Sequence, residues 1–184
     1  DADISPVYSR ISGYVSDIRF EDNQKVKKGD TLIIIDGRDL QIKVEQSEAA
    51  IANALAAVKV AEAAVETAKG NAVVAQSGIE AANVRLWKAD QDYNRFNSLL
   101  TLDATTKQKF DAAKAEKDGA QAAVNSAKSQ LVVANKQIAA AQEQIAVANA
   151  QLKQRQADLD FSKLQLTYSV ITAPADGLAS KKNV

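Results

Sequence analysis

Along the middle of the chain an apolar residue returns every seventh position. Val44, Ile51, Val58, Val65, Ala72, Ile79, Leu86, Tyr93 and Leu100 form one series, called position a. Three residues after all but the last come Ser47, Ala54, Ala61, Ala68, Ala75, Ala82, Ala89 and Phe96, position d. A second series runs Phe110, Lys117, Val124, Leu131, Ile138, Ile145, Leu152, Leu159 and Leu166, with Ala113, Ala120, Ala127, Ala134, Ala141, Ala148, Arg155 and Ser162 at d. Unbroken heptads predict two helices joined by a left-handed coiled-coil seam. Alanine at nearly every d lets two backbones approach closely, while Val, Ile and Leu at a fill the space that remains.

The two series are separated by T-L-D-A-T-T, Thr101 to Thr106, which is rich in helix-capping residues. Arms of matched length around one short turn predict an antiparallel hairpin over residues 38–164, with its tip near 100–106. Arms of roughly 60 residues at ~1.5 Å each would reach about 90 Å. Gly70 and Gly78 fall off the seam and are expected to be tolerated on an exposed face. Apolar residues off the seam (Leu55, Val60, Val73, Val74, Val84, Val132, Val133 and Val147) are candidates for lateral contacts.

The flanks have a different texture. Residues 1–37 carry short Val-, Ile- and Tyr-rich runs, alternating at Ile11/Gly13/Val15 and across Thr31 to Ile35, broken by Gly13, Asp22-Asn23 and Gly29-Asp30. Residues 165–184 return to the same texture, with Pro174 and Gly177 as breakers. The expected class is α+β, with the hairpin inserted between two β pieces. Each piece is too small to bury a core alone.

Composition narrows the chemistry. The chain has no His and no Cys, so a Ser-His-Asp triad, a thiol nucleophile, a disulfide and an ordinary zinc site are all absent. With 23 Lys+Arg against 23 Asp+Glu, it lacks the basic excess of a nucleic-acid binder. Glu45, Glu48, Asp90 and Asp92 sit among basic residues at spacings that suit solvated helix faces with local charge pairs. No phosphate-binding loop occurs. The expectation is a non-enzyme without catalytic, cofactor or metal residues. The chain begins at Asp1 and contains no Met, which reads as a processed or excised piece.

The β segments carry a resemblance. Ser9 to Ile18 (S-R-I-S-G-Y-V-S-D-I), Asp22 to Leu32 (D-N-Q-K-V-K-K-G-D-T-L) and Ile35-Asp36 are similar to the first half of a lipoyl/biotinyl domain, and Ile171 to Leu178 (I-T-A-P-A-D-G-L) to the second. A lipoyl-like half, a long heptad hairpin and a second half together resemble the periplasmic adaptor or membrane fusion proteins, in the hemolysin-secretion (HlyD) and EmrA-like branch. The resemblance implies a lipoyl/biotinyl-like barrel-sandwich with turns at Gly13, Gly29, Pro174 and Gly177. It implies a non-catalytic spacer in drug efflux or type I secretion, bridging an inner-membrane transporter of MFS or ABC type to a TolC-like outer-membrane channel. It further implies self-association to a trimer or hexamer and a periplasmic location. An N-terminal inner-membrane anchor would lie outside this sequence.

At the tip, Arg95, Leu99 and Thr106 resemble the R-x3-L-x6-S pattern of family members that dock on channels, with Thr in place of Ser. Arg95 falls at c and Leu99 at g, flanking the seam. The same residues also read as a solvated arginine, a leucine widening the seam and a helix cap. A lipoate- or biotin-carrying domain is disfavoured, because Gly37, Arg38 and Asp39 follow Ile35-Asp36 where a modified lysine would be needed. A coiled-coil scaffold without a transport role accounts for the heptads but leaves the divided β domain unaccounted for.

Overall fold

The computed structural model describes residues 5–179, so the outermost parts of the two β segments lie outside the described residues. Three strands lead in: β1 (Val15–Ile18), β2 (Gln24–Val26) and β3 (Thr31–Ile35). Two long helices follow, α1 (Arg38–Thr101) and α2 (Lys107–Thr167), and then β4 (Val170–Thr172) and β5 (Gly177–Ala179). α2 continues three residues beyond the boundary at 164 read from the sequence. Nothing in Leu164 to Thr167 breaks a helix, and the breaker Pro174 comes later. Among the described residues, no helix is long and apolar enough to cross a membrane.

The described chain divides into two compact units. One takes the residues up to Ala56 and from Asn149 onward; the other is Ala57–Ala148.

In the first unit, both sheets join a strand from before the helices to one from after them. β3 lies between β1 and β4, and β2 pairs with β5, all antiparallel. Phe20, Leu32 and Ala173 form the buried centre, with Val26, Ile33 and Ala179 packed around it. Leu32 precedes α1 and Ala173 follows α2, so the centre is complete only when both halves are present. This is an α+β arrangement in which two long helices are inserted between the strands of one shared β domain. Strict alternation fails in β1 and β3, because pairing slips between Val15 and Asp17 and between Thr31 and Ile33. A bulge resets which face a side chain takes, so Val15 is exposed while Leu32 and Ile35 are both buried.

The turns hold the halves together. Gly29, at φ 95°, is the third residue of a turn closed by the Asp30 N–H donating to the Lys27 carbonyl (3.0 Å). The Gly29 N–H donates to the Ala173 carbonyl and the Ala173 N–H to the Asp30 carbonyl, both at 2.9 Å. The Lys28 N–H donates to Asp176 Oδ1 at 2.7 Å. At Gly13 a Cβ would stand 2.7 Å from Ile35 Cγ2, so this site requires glycine for space. Gly177 opens β5 with nothing within 4 Å of a would-be Cβ, and Pro174 sits in the exposed bend before it.

Where the helices leave and return, Asp36 Oδ1 accepts from the Arg38 N–H, and its carboxylate pairs with the Arg38 guanidinium at 2.6 Å. That pairing holds the Asp36 carboxyl below the usual carboxylate range and raises Arg38. At d, Ser47 and Ser162 meet hydroxyl to hydroxyl at 3.1 Å, and Lys163 pairs with Glu48 at 3.2 Å. Val44 and Leu159 are buried, and Ile51 and Leu152 half-buried. Arg155 occupies d but is exposed, its guanidinium bonded to Asp158 along its own helix. A guanidinium gains more from water and a neighbouring carboxylate than from an apolar seam.

In the second unit, every a and d residue is buried or half-buried. Ile79 and Ala82 cluster with Val124 and Ala127, flanked by Leu86 and Leu131. Val65 and Ala68 cluster with Ala141, flanked by Ile138 and Ile145. Val58 is half-buried on the same stripe. Each cluster combines large aliphatic residues with alanines from both helices. A large side chain opposite a small one keeps the seam filled at close backbone separation.

Candidate functional site

The residues that singled out the tip lie in the second unit, around the turn from α1 to α2. α1 ends through two hydrogen bonds: the Ala104 N–H donates to the Leu99 carbonyl at 2.8 Å, and the Asp103 N–H to the Leu100 carbonyl at 3.2 Å. Asp103 itself takes φ 51°. This is a Schellman closure, with aspartate at the left-handed position that usually holds glycine. α2 then starts at a cap. The Thr106 carbonyl accepts from the Lys109 N–H at 3.1 Å and the Phe110 N–H at 3.3 Å, and Thr106 Oγ1 receives the Lys109 N–H at 3.4 Å.

These bonds fix where the pattern residues sit. Thr106 is exposed, but its hydroxyl serves the helix start. Leu99 is half-buried, so its side chain is only partly available to another molecule. Arg95 is exposed and pairs with Asp92 one turn earlier, with its guanidinium carbon 5.4 Å from the centre of the Phe96 ring. Among the described residues, no hydrogen bond or ion pair joins Arg95, Leu99 and Thr106 to one another. Sequence reasoning missed Leu102, which is 75% exposed in the turn. The signal for it was one large apolar residue in an otherwise polar T-L-D-A-T-T.

Just below the turn lies a polar layer inside the seam. Lys117 occupies an a position, and its Nζ meets Asp90 Oδ1 of the other helix at 2.6 Å. The same ammonium stands 4.5 Å from the centre of the Tyr93 ring, and that ring packs on Phe110 with centroids 5.5 Å apart. The Lys117 hydrogen bond holds the Asp90 carboxyl below its ordinary value, and Asp90 in turn raises Lys117. Asp90 and Glu48 therefore pair across the two helices, where the sequence pattern led us to expect local pairs on one solvated face. A polar residue at a single a position fixes the register of a coiled coil.

Comparison with known proteins places this architecture. Residues 3–184 match the family described as RND MFP, barrel-sandwich hybrid domain. The chain is 31% identical over 115 residues to the colistin resistance protein EmrA of Acinetobacter baumannii, covering 62% of this chain and 33% of that protein. It is 28% identical over 183 residues to the multidrug resistance protein MdtA of Photorhabdus laumondii, covering 100% of this chain and 32% of that protein. The chain thus spans about a third of the length of the curated relatives it matches. Among solved structures, the periplasmic adaptor protein EmrA shares the fold with a TM-score of 0.56 at 16% identity, over 100% of this chain and 68% of that one. With strands from both ends of the chain sharing two sheets around a two-helix insertion, the chain belongs to the RND membrane fusion proteins, as part of their barrel-sandwich hybrid domain.

Proposed function

We propose that the chain is the spacer portion of a periplasmic adaptor subunit. It bridges an inner-membrane transporter, of MFS or ABC type, to a TolC-like outer-membrane channel for drug efflux or type I secretion. The observation that carries this reading is the family match over residues 3–184, which takes in both helices as well as the strands. The names of the curated relatives, colistin resistance and multidrug resistance proteins, support efflux as the use. In this reading the turn meets the channel through Leu102 and Arg95, with Leu99 and Thr106 shaping the turn that presents them. An N-terminal segment outside this sequence anchors the subunit in the inner membrane, and three or six copies stand side by side. The polypeptide does no chemistry; it positions and encloses.

A photoreactive residue placed at Leu102 in cells, with Ala63 as the control position, tests this. Crosslinks to an outer-membrane protein from position 102 and not from 63 are the expected result. Equal labelling from both positions, or capture of no outer-membrane protein, would leave a scaffold in place of an adaptor.

A further inference from the structure

Within the second unit the seam is repetitive enough to close in more than one way. Apart from Tyr93, Phe96, Phe110 and Lys117, its a and d residues are all Ala, Val, Ile or Leu. Ile79 and Ala82 cluster with Val124 and Ala127, and Val65 and Ala68 with Ala141. Sliding α2 by one heptad would set Ile79 against Ala134, Ala82 against Leu131 and Val65 against Ala148. Each is again a large side chain opposite an alanine, so packing alone barely separates the two offsets.

The layers nearest the turn do separate them. Lys117 sits in the seam at position a and pairs with Asp90 across the helices at 2.6 Å. Asp90 Oδ2 also accepts from the Asn94 amide at 3.1 Å, and the Lys117 ammonium stands 4.5 Å from the centre of the Tyr93 ring. One heptad to either side, the position of Asp90 is held by Asn83 or Asn97. A slide one way would set Lys117 against Phe96, and the other way against Ala82. In both, the ammonium would find an amide where it now finds a carboxylate, and a half-buried charge without its partner is costly.

We propose that the Lys117–Asp90 pair selects the offset of the hairpin as the chain folds from the turn outward. Asp90, Tyr93, Phe110 and Lys117 come together across a short loop, whereas Ile34 and Val170, paired between β3 and β4, are separated by both helices. Closing the short loop costs less entropy, so the turn end meets first. Both helices then run unbroken to their far ends and carry there whatever offset the turn end has taken. An offset wrong by one heptad amounts to about 10 Å at ~1.5 Å per residue, the whole length of the three-residue strand β4. It would also move the turn itself by half a heptad. A lysine at this position makes the seam less stable than a leucine would, and in exchange leaves a single offset. The selection concerns how the hairpin closes and holds whether or not the turn binds a channel.

The chain has no Cys, so thiols can report the offset directly. Asn71, Gln130, Gln137 and Gln144 all lie at position g and are exposed, which leaves the seam untouched. Asn71 and Gln137 line one groove, so Asn71→Cys with Gln137→Cys reports the present offset. Asn71→Cys with Gln144→Cys, or with Gln130→Cys, reports a slide of one heptad in either direction. Each full-length chain is diluted from denaturant into a short bis-maleimide, and crosslinks are followed with time. The parent seam should give the first crosslink from the earliest times. Adding Lys117→Leu should raise the ratio of slid to present offset at early times at least about tenfold, while Lys117→Arg keeps the parent's ratio. A leucine in the seam does not endanger folding, and the final helical signal checks this. A Lys117→Leu ratio equal to the parent's would overturn the proposal, and so would a Lys117→Arg chain that behaves like Lys117→Leu. Crosslinking from Leu102 enters neither readout, so this proposal and the adaptor reading can fail separately.

Discussion

Asp103 closes α1 at φ 51°, in a region where a Cβ crowds the following carbonyl and only Gly, Asn and Asp are common. Asp103→Gly should therefore stabilise the chain by about 0.5–1 kcal/mol and Asp103→Val destabilise it by about 1–2 kcal/mol, read from urea melts. Asp90 gives a pH signature. Its carboxyl titrates lower when folded because Lys117 donates to it, so its contribution is present above the unfolded aspartate value and fades as pH falls through the depressed one. Lys117 is raised, so its share is present below the ordinary lysine value and is lost as pH climbs through the raised one. The melting temperature should fall at both extremes, and Asp90→Asn should flatten both limbs. Unaltered limbs in that variant would show that the pair contributes nothing measurable.

For the helices the same logic runs through volume. Val124 is 2% exposed, the most buried large side chain of the seam. Val124→Ala should cost about 1–3 kcal/mol by opening a cavity, and Ala134→Leu a similar amount by forcing the backbones apart. Equilibrium unfolding followed by helical circular dichroism reads both, and an Ala134→Leu chain as stable as the parent would show the alanines to be replaceable. These positions were legible in the sequence, because an unbroken seven-residue period keeps one stripe of each helix facing its partner along the whole arm. Arg155 was misplaced by the same rule, since periodicity names a position and not what a guanidinium prefers there. The partner of Lys117 was not legible either, because Asp90 becomes its neighbour only once the turn closes. Leu102 and the bulges of β1 and β3 also escaped, as periodicity carries no information in a turn or across a register slip.

At the scale of the molecule, the decisive fact is that neither β half owns a sheet. β3 pairs with β4 and β2 with β5, and the backbone bonds of Gly29, Asp30 and Ala173 tie the same two stretches again. Resemblance of the two flanks to lipoyl halves made this shared domain legible from sequence alone. It did not separate a glycine required for space, Gly13, from one that is not, Gly177. The close packing of Gly37 against Leu166 and Ser169 was likewise hidden, since it depends on residues far apart in sequence.

Those interleaved strands make the chain a natural pair of complementing fragments. The linker from Leu102 to Thr106 lies outside both helices, and a single cut there leaves each sheet drawing strands from both pieces. Either fragment alone would lack strands of both sheets, whereas the two together hold every seam layer and the whole β domain. Co-expressed fragments should recover the parent's helical signal and co-purify, while each alone stays largely unfolded. A fragment that folded by itself would contradict the shared core. A nick at the exposed tip would then leave the folded pair assembled while making its stability depend on fragment concentration, and it would also be visible in whatever the tip touches.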